Sequence, residues 1–115
     1  MRKECTVDLR VIDHPQATVV EILEELDTAS SATLGQTLVQ LEMDGKRAIV
    51  VSLEACPFVD ASGLTTLLYA HRRLRERFRL VLPTSQSCRR ILEIAGFADA
   101  PFVFTSLPAA LADGP

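Results

Sequence analysis

The sequence predicts an α/β fold whose mixed β-sheet opens with an antiparallel hairpin and carries about four helices. Three observations lead to this prediction. Residues 6–12 and 17–23 are strand-like segments on either side of a short turn, as in a β-hairpin. Later segments alternate between strand and helix signals, which favours parallel strands joined by right-handed crossovers. The length of 115 residues suits one domain, so residues 1–115 are expected to share a single core.

The apolar pattern defines each element in order. Residues 6–12 alternate between apolar and polar side chains, as in a half-buried strand. Leucines at helical spacing predict a helix that begins at Ser30 or Ser31 and ends at Met43, with Gly45 as its left-handed cap. The remaining predicted elements are a strand at 47–53, a helix after Asp60, a strand at 78–82, a helix at 86–95, a strand at 102–104 and a last helical turn from Ser106.

Three groups of apolar residues are expected in the core. Ile49, Val50 and Val51 form a β-branched run, which is typical of a strand buried on both faces. Two helices carry apolar stripes close to helical spacing. The stripes consist of Leu64, Leu67, Leu68 and Leu74 in one helix and Cys88, Ile91, Leu92 and Ala95 in the other.

Composition argues against several classes of protein. The net charge of −3 disfavours nucleic acid as the main partner, and the arginines of 72–77 are interpreted as a solvated helix face. No apolar run could span a bilayer and the N-terminus lacks a signal-peptide pattern, so we expect a cytoplasmic protein without direct membrane insertion. The 3 cysteines and 2 histidines lack metal-ligand or disulfide spacing, so we expect no metal and no cofactor. Cys56 and Cys88 are expected to be small core residues.

A polar turn separates the central strand from the helix that follows it. Asp60 is placed to cap this helix, because its carboxylate can accept hydrogen bonds from the free N–H groups of the first turn. Such a helix start can also receive a phosphate or a polar group of a partner. We therefore expect the function of the protein to involve this turn, residues 60–63.

Three motifs resemble the STAS domain of bacterial anti-sigma factor antagonists. Residues 58–64, FVDASGL, are similar to the family's Asp-Ser-Ser/Thr-Gly-Leu sequence after an apolar strand. Residues 24–27, EELD, are similar to its Gly-Glu-Leu-Asp sequence, and residues 89–97, RRILEIAGF, to its late helix ending in Gly-Phe. The matches run in order along nearly the whole chain, which supports the α/β prediction.

The resemblance implies an antagonist that captures an anti-sigma factor and so frees a sigma factor. The anti-sigma factor would often be a serine kinase of the histidine-kinase-like ATPase fold. The implied contact residues are Glu25, Asp27, Thr28, Asp60, Ala61, Ser62, Gly63 and Leu64. From the residues alone, the loop at 24–27 is equally a solvated acidic segment in which Asp27 or Thr28 caps the next helix, and one residue can serve both purposes.

One position departs from the family's pattern. In the family, the serine directly after the aspartate is phosphorylated by the partner kinase, and here that residue is Ala61, which has no hydroxyl. Ser62 matches the neighbouring Ser or Thr and is the remaining candidate for phosphorylation. Its other interpretation is a first-turn helix residue that hydrogen-bonds locally. We therefore expect a protein that is locked in its binding-competent form or regulated in another way.

Two other functions are weighed against the antagonist. STAS domains also serve as sensors that bind a small ligand, such as a nucleotide, or as scaffolds in signalling or membrane-associated assemblies. The single Gly63 does not make a glycine-rich phosphate loop, which favours the antagonist over a nucleotide sensor. An enzyme would need a group that activates Ser62, and no histidine or lysine is evidently positioned for this. We therefore expect a binding protein and no enzyme.

Overall fold

The structure, a computed structural model, describes residues 3–5, 9–97 and 99–112. The strands in these ranges are β1 (Lys3–Cys5), β2 (Leu9–Asp13), β3 (Thr18–Ile22), β4 (Ile49–Ser52), β5 (Phe78–Val81) and β6 (Val103–Phe104). The helices are α1 (Thr28–Met43), α2 (Ala61–Leu74), α3 (Gln86–Ile94) and α4 (Leu107–Ala112), and a 3-10 turn at Arg75–Arg77 follows α2. The predicted α/β class with four helices is confirmed.

A mixed sheet of six strands, counted over the described residues, connects these elements. Its strands lie in chain order from β1 to β6. The strands β1, β2 and β3 are antiparallel neighbours, which confirms the hairpin, and β3 to β6 are parallel. The strand β1 was not predicted from the sequence. Residues 6–8 of the predicted first strand lie outside the described residues.

The two faces of the sheet carry separate cores. On one face, leucines of α1, α2 and α3 pack in a cluster with Ile49 and Val51 of β4. On the other face, Ala110 of α4 shares a smaller cluster with Val50. Ile49, Val50 and Val51 of β4 are fully buried, so the prediction of a strand covered on both faces is confirmed. This rigid central strand fixes where the following segment, 53–60, leaves the sheet and begins α2.

The helix ends follow local capping rules. The helix α1 begins at Thr28, earlier than predicted, because Asp27 is its N-cap. Gly45 ends α1 as predicted and Gly96 ends α3 in the same way, with positive φ angles of 76° and 89°. Local sequence therefore determines these helix ends. The start of α1 was predicted two or three residues too late, because Asp27, Thr28, Ser30 and Ser31 are all residues that can cap a helix.

Two residues of the predicted core stripes are exposed instead. Leu68 has 40% of its surface exposed, because it follows the buried Leu67 and one residue turns a helix by about 100°. Ala95 is exposed because it is the C-cap of α3, where the chain leaves the helix. The other residues of both stripes are buried or half-buried.

Arg79 differs from the arginines that precede it because it is only 5% exposed. It lies in β5, and its guanidinium donates a hydrogen bond to the Ala110 carbonyl of α4. Arg73 and Arg77 pair with Glu42 on α1. The basic segment is therefore partly used inside the fold, and the solvated helix face is smaller than predicted.

Cys56 and Cys88 are buried, which confirms their predicted place in the core. Burial raises the pKa of both thiols, and raises that of Cys88 to about 12. The charge of Cys56 contributes to the raised pKa of Cys88, so the two thiols are close enough to affect each other. Both groups are therefore neutral thiols near pH 7.

We predict that the free energy of unfolding falls as pH rises above about 9. The unfolded chain releases the Cys88 proton near the ordinary thiol pKa, whereas the folded chain keeps it up to about pH 12. The stabilising contribution is therefore complete below about pH 9 and lost towards pH 12. The free energy of unfolding is measured with urea for the wild type and Cys88→Ala between about pH 8 and 11. It should fall less with rising pH for the variant than for the wild type. Equal declines would contradict this account, and Ser87→Ala, at an exposed neighbouring position, is the control.

Candidate partner-binding site

Two helix starts lie side by side at the carboxyl ends of β3 and β4. Leu26 forms an isolated parallel bridge with Val59. The Leu26 N–H donates to the Phe58 carbonyl at 2.8 Å, and the Asp60 N–H donates to the Leu26 carbonyl at 3.1 Å. Asp27 and Asp60, the residues that follow the bridge, are the N-caps of α1 and α2. The acidic loop and the Asp60 turn thus form one continuous surface.

Gly63 allows α2 to approach this bridge closely. A Cβ atom on Gly63 would lie 2.8 Å from Val59 Cγ1 and 2.9 Å from both Leu26 Cγ and the Leu26 carbonyl oxygen. These distances are shorter than non-bonded contacts of a Cβ atom normally are. The Leu26 carbonyl oxygen cannot move away without disturbing the hydrogen bond that it accepts from Asp60. The position therefore needs glycine because of the space available.

Asp27 and Ser30 form a capping box at the start of α1. Asp27 Oδ1 accepts from the Ser30 N–H at 3.0 Å, and Ser30 Oγ accepts from the Asp27 N–H at 2.9 Å. The Ser30 hydroxyl also donates to the Glu25 carbonyl at 2.7 Å, which ties the acidic loop to the helix. Hydrogen bonds from the Ser30 backbone and side chain lower the pKa of the Asp27 carboxyl, and the charge of Asp60 opposes this shift more weakly.

Asp60 caps α2 through a single oxygen. Its Oδ1 accepts from the Ser62 hydroxyl at 2.6 Å and from the Gly63 N–H at 3.0 Å. These two hydrogen bonds, with that of Ser62 the larger cause, lower the pKa of the Asp60 carboxyl. Asp27 and Asp60 are therefore both ionised at neutral pH, and the surface is anionic where two helix starts meet.

Ser62 and Thr28 connect the two helix starts. Their hydroxyl oxygens are 3.5 Å apart, so the Ser62 proton points mainly to the nearer Asp60 carboxylate. Ala61 is exposed as the first residue of α2, and it directly follows Asp60 in the chain. The surface therefore offers carboxylates and hydroxyls, which suit cationic and hydrogen-bond donor groups of a partner.

Two other predicted site residues lie at the edges of this surface. Glu25 is exposed and lines a cavity of about 300 Å³ together with Asp27 and Pro57. Leu64 is half-buried against the core and lines a different groove, with Phe102. The structure therefore brings together Glu25, Asp27, Thr28 and residues 60–63, whereas Leu64 lines the groove between α2 and the segment 95–102 that follows α3.

Two features of the site were not predicted from the sequence. Phe58 is 44% exposed immediately before the turn, so it offers an apolar contact beside the carboxylates. Ser30 completes the capping box, and the Asp-x-x-Ser spacing of residues 27–30 is a signal that could have identified it. The exposure of Phe58 has no comparable signal, because its burial depends on how the segment leaves the sheet.

The sequence model of the STAS domain matches residues 7–110. The chain belongs to the STAS domain family. The match extends from the segment before β2 to α4, so it includes both helix starts of the site. The resemblance found in the sequence is confirmed as a family relationship.

Three solved structures share the fold of this STAS domain. An anti-sigma factor antagonist from Mycobacterium paratuberculosis has a TM-score of 0.80 and 25% sequence identity, with 90% of each chain covered. The anti-sigma factor antagonist SpoIIAA from Bacillus, in its unphosphorylated form, has a TM-score of 0.67 and 19% identity, with 91% of this chain and 94% of that chain covered. A sulfate transporter family protein from Wolinella succinogenes has a TM-score of 0.65 and 23% identity, with 87% and 93% covered. The last two similarities concern the fold alone.

The site has no arrangement typical of a metal centre. Within residues 3–5, 9–97 and 99–112, no group of three or more His, Cys, Asp or Glu side chains could hold a metal ion. No helix in the described part of the chain is long and apolar enough to cross a membrane.

We predict opposite effects for the same substitution at two helical glycines. Gly63→Ala should lower the free energy of unfolding by about 1 to 3 kcal/mol, because the added carbon overlaps Val59 and Leu26. Gly35→Ala in α1 is the matched control, since its Cβ would meet nothing within 4 Å, and it should raise the free energy by up to about 1 kcal/mol. Urea unfolding measures both, and a Gly63→Ala protein as stable as the wild type would disprove the close approach.

We also predict that acid removes the stabilisation that the two caps provide. Both carboxyls have lowered pKa values in the folded chain, so their contribution is present above the ordinary aspartate pKa, near 4, and is lost as pH falls below it. Asp60→Asn keeps an oxygen that can accept from the Gly63 N–H but cannot titrate. Its unfolding free energy between about pH 2.5 and 6 should therefore change less with pH than that of the wild type. Parallel curves would contradict the shifted pKa of Asp60.

Proposed function

We propose that this STAS protein is an anti-sigma factor antagonist that binds an anti-sigma factor and thereby releases a sigma factor. The observation that carries the proposal is the 25% identity and TM-score of 0.80 to an anti-sigma factor antagonist, over 90% of both chains. The fold alone does not identify this function, since a sulfate transporter family protein has the same fold. A sensor or scaffold role is therefore the alternative outcome of the test below.

The proposed contact surface consists of the two helix starts and the acidic loop, which are Glu25, Asp27, Thr28, Asp60, Ala61, Ser62, Gly63 and Leu64. The carboxylates of Asp27 and Asp60 have lowered pKa values and are exposed or half-buried, so these two groups can meet cationic groups of a partner without first losing a proton. Phe58 adds an exposed apolar group beside them. We propose that the partner is an anti-sigma factor of the histidine-kinase-like ATPase fold.

We infer a binding function rather than catalysis. Among the described residues, the Ser62 hydroxyl hydrogen-bonds to Asp60 and Thr28, and neither is a histidine or a lysine that could activate it as a nucleophile. The Asp60 carboxylate that accepts the Ser62 hydrogen bond is the N-cap of α2. This arrangement supports a protein that recognises its partner through a preformed surface.

Ala61 is proposed to keep the protein in its binding-competent form. A phosphate at this position would add about 1.5 to 2 negative charges beside Asp27 and Asp60. The helix start would favour the charge by only about 0.3 to 1 kcal/mol, whereas an unpaired charge in an interface costs several kcal/mol. Without an acceptor hydroxyl at Ala61, this means of release is absent. The Ser62 hydroxyl already donates to Asp60, so we propose that Ser62 serves the cap and stays unmodified.

The test captures partners from the source cells with tagged protein, in the presence of ATP or ADP, and identifies them by mass spectrometry. We expect the wild type to retain an ATPase-fold anti-sigma factor in ATP. Ala61→Glu places a charge on the exposed start of α2, and it should reduce recovery at least about tenfold, which corresponds to about 1.4 kcal/mol. Ile94→Glu on α3, where the side chain is 77% exposed, is the matched control and should leave recovery unchanged.

A further variant tests the locked form. Ala61→Ser supplies the missing hydroxyl, so we expect phosphoserine at this position and loss of the complex in ATP but not in ADP. Recovery of no ATPase-fold protein would contradict the antagonist, and equal recovery with Ala61→Glu would contradict the proposed contact surface. Phosphorylation of Ser62 in the wild type would contradict the locked form.

A further inference from the structure

The exposed side of α1 carries almost no charge. Residues 28–41 contain no Asp, Glu, Lys or Arg. Val39 is 43% exposed, and Ala32 and Gln36 are exposed on the same helix. A helix face that stays in water usually carries charges, whereas pockets for small molecules are lined mainly by apolar side chains. The composition of α1 therefore directs attention to the surface that it forms with its neighbour α2.

A groove of about 440 Å³, called here the α1–α2 groove, separates α1 from α2 on this side. Most of its lining is apolar and includes Ala32, Leu38, Val39, Tyr69, Ala70 and Leu74. Gly35 keeps the middle of the groove open, because a Cβ there would meet nothing within 4 Å. The lining residues of α1 run from 32 to 42, which corresponds to a length of about 15 Å. The volume and the apolar lining are those of a site for a small molecule.

The charged side chains that line the α1–α2 groove, among the described residues, lie together at one end. They are Glu42 and Arg73, and Arg73 Nε donates to Glu42 Oε1 at 2.6 Å. Glu42 also pairs with Arg77, so these three side chains together carry one positive charge. Glu42 and, more weakly, Tyr69 raise the pKa of Arg73, so the Tyr69 hydroxyl belongs to the same end. The groove is therefore apolar along most of its length and cationic at one end.

Arg73 keeps hydrogen-bond donors available for a ligand. Its contact with Glu42 uses the Nε atom, and its side chain is 52% exposed, so the Nη groups can donate to a further acceptor. A guanidinium binds a carboxylate through two parallel hydrogen bonds, which are stronger than those between neutral groups. Asp44, which follows α1, lines a different groove together with Lys46. The cationic end of the α1–α2 groove is therefore suited to a carboxylate of another molecule.

We propose that the α1–α2 groove binds a free carboxylic acid with an alkyl chain of medium length. The carboxylate accepts hydrogen bonds from the Nη groups of Arg73, and the alkyl chain lies between the two helices above Gly35. The ligand thus has the same polarity as the groove, with one charged end and an apolar remainder. The site lies away from the two helix starts, so this inference goes beyond the proposed antagonist function and does not depend on it.

The first test is a titration of the isotopically labelled chain with octanoate, followed through its amide chemical shifts at neutral pH. We expect saturable shifts at groove residues, including Gly35, Val39 and Ala70, with a dissociation constant on the order of 1 mM. Octanol has the same chain length but no carboxylate. It should bind at least about fivefold more weakly, because it cannot accept paired, charge-assisted hydrogen bonds from Arg73.

Two adjacent arginines provide a matched pair of variants for the charged end. Arg73 lines the groove, whereas Arg72 is exposed and does not line it. Arg73→Gln should weaken octanoate binding at least about fivefold and leave octanol binding unchanged, because only the carboxylate uses the guanidinium. Arg72→Gln should leave the binding of both compounds unchanged. An equal loss of octanoate and octanol binding in Arg73→Gln would contradict the contact with the carboxylate.

A larger residue at Gly35 tests the position of the alkyl chain. Gly35→Leu fills the open space in the middle of the groove, so it should weaken the binding of octanoate and octanol alike, by at least about tenfold. Ala29→Leu adds the same side chain to α1 at an exposed position that does not line the groove, and it should bind both compounds like the wild type. Circular dichroism checks that each variant remains folded.

Several outcomes would overturn the proposal. Shifts that do not saturate up to about 10 mM octanoate would exclude the site, since the expected dissociation constant is about tenfold lower. Saturable shifts confined to the groove beside Phe102 would place the ligand elsewhere. Equal affinity for octanoate and octanol would exclude recognition of the carboxylate. Binding to phosphatidylglycerol vesicles without saturable octanoate binding would assign the apolar surface to a membrane instead of a free acid.

Discussion

The pairing of Leu26 with Val59 is the contact on which the candidate site depends. It extends the parallel alignment of β3 and β4 beyond the sheet and places two helix starts next to each other. Gly63 makes the arrangement possible, because no larger residue fits between α2 and this bridge. A small change in the helix position would separate the hydroxyls of Thr28 and Ser62, which are now 3.5 Å apart. The surface chemistry therefore follows from backbone packing beneath it.

Two neighbouring carboxylates can both remain ionised here because each one caps its own helix start. The repulsion between Asp27 and Asp60 raises the pKa of Asp27 only weakly, whereas hydrogen bonds from Ser30 lower it more strongly. Asp60 is stabilised in the same way by Ser62 and Gly63. The local N–H and O–H donors thus outweigh repulsion across solvent-exposed space. The result is a negative surface that exists without any modification.

Much of the fold could be predicted because its signals are local. The β-branched run Ile49–Val51 identified the buried strand and Asp60 identified the cap of α2, whereas the cap of α1 was left open between Asp27 and Thr28. The space restriction at Gly63 and the burial of Arg79 depend on elements distant in sequence, so periodicity could not reveal them. Leu68 was misassigned because leucines at neighbouring positions cannot all face the core of one helix. The residues of the site were predicted mainly from their resemblance to the family motif. Their contacts with one another became known only from the folded structure.

The contact between Arg79 and α4 has a consequence for local unfolding. The guanidinium is buried against the Ala110 carbonyl, and α4 is a helix of 6 residues with few turns to hold it. When α4 detaches, the permanently charged guanidinium regains water, and this hydration offsets part of the lost packing. Opening of α4 should therefore require less free energy than global unfolding. The amides of α4 should exchange with solvent deuterium earlier than those of β4, so the reverse face of the sheet becomes accessible while the two helix starts remain in place.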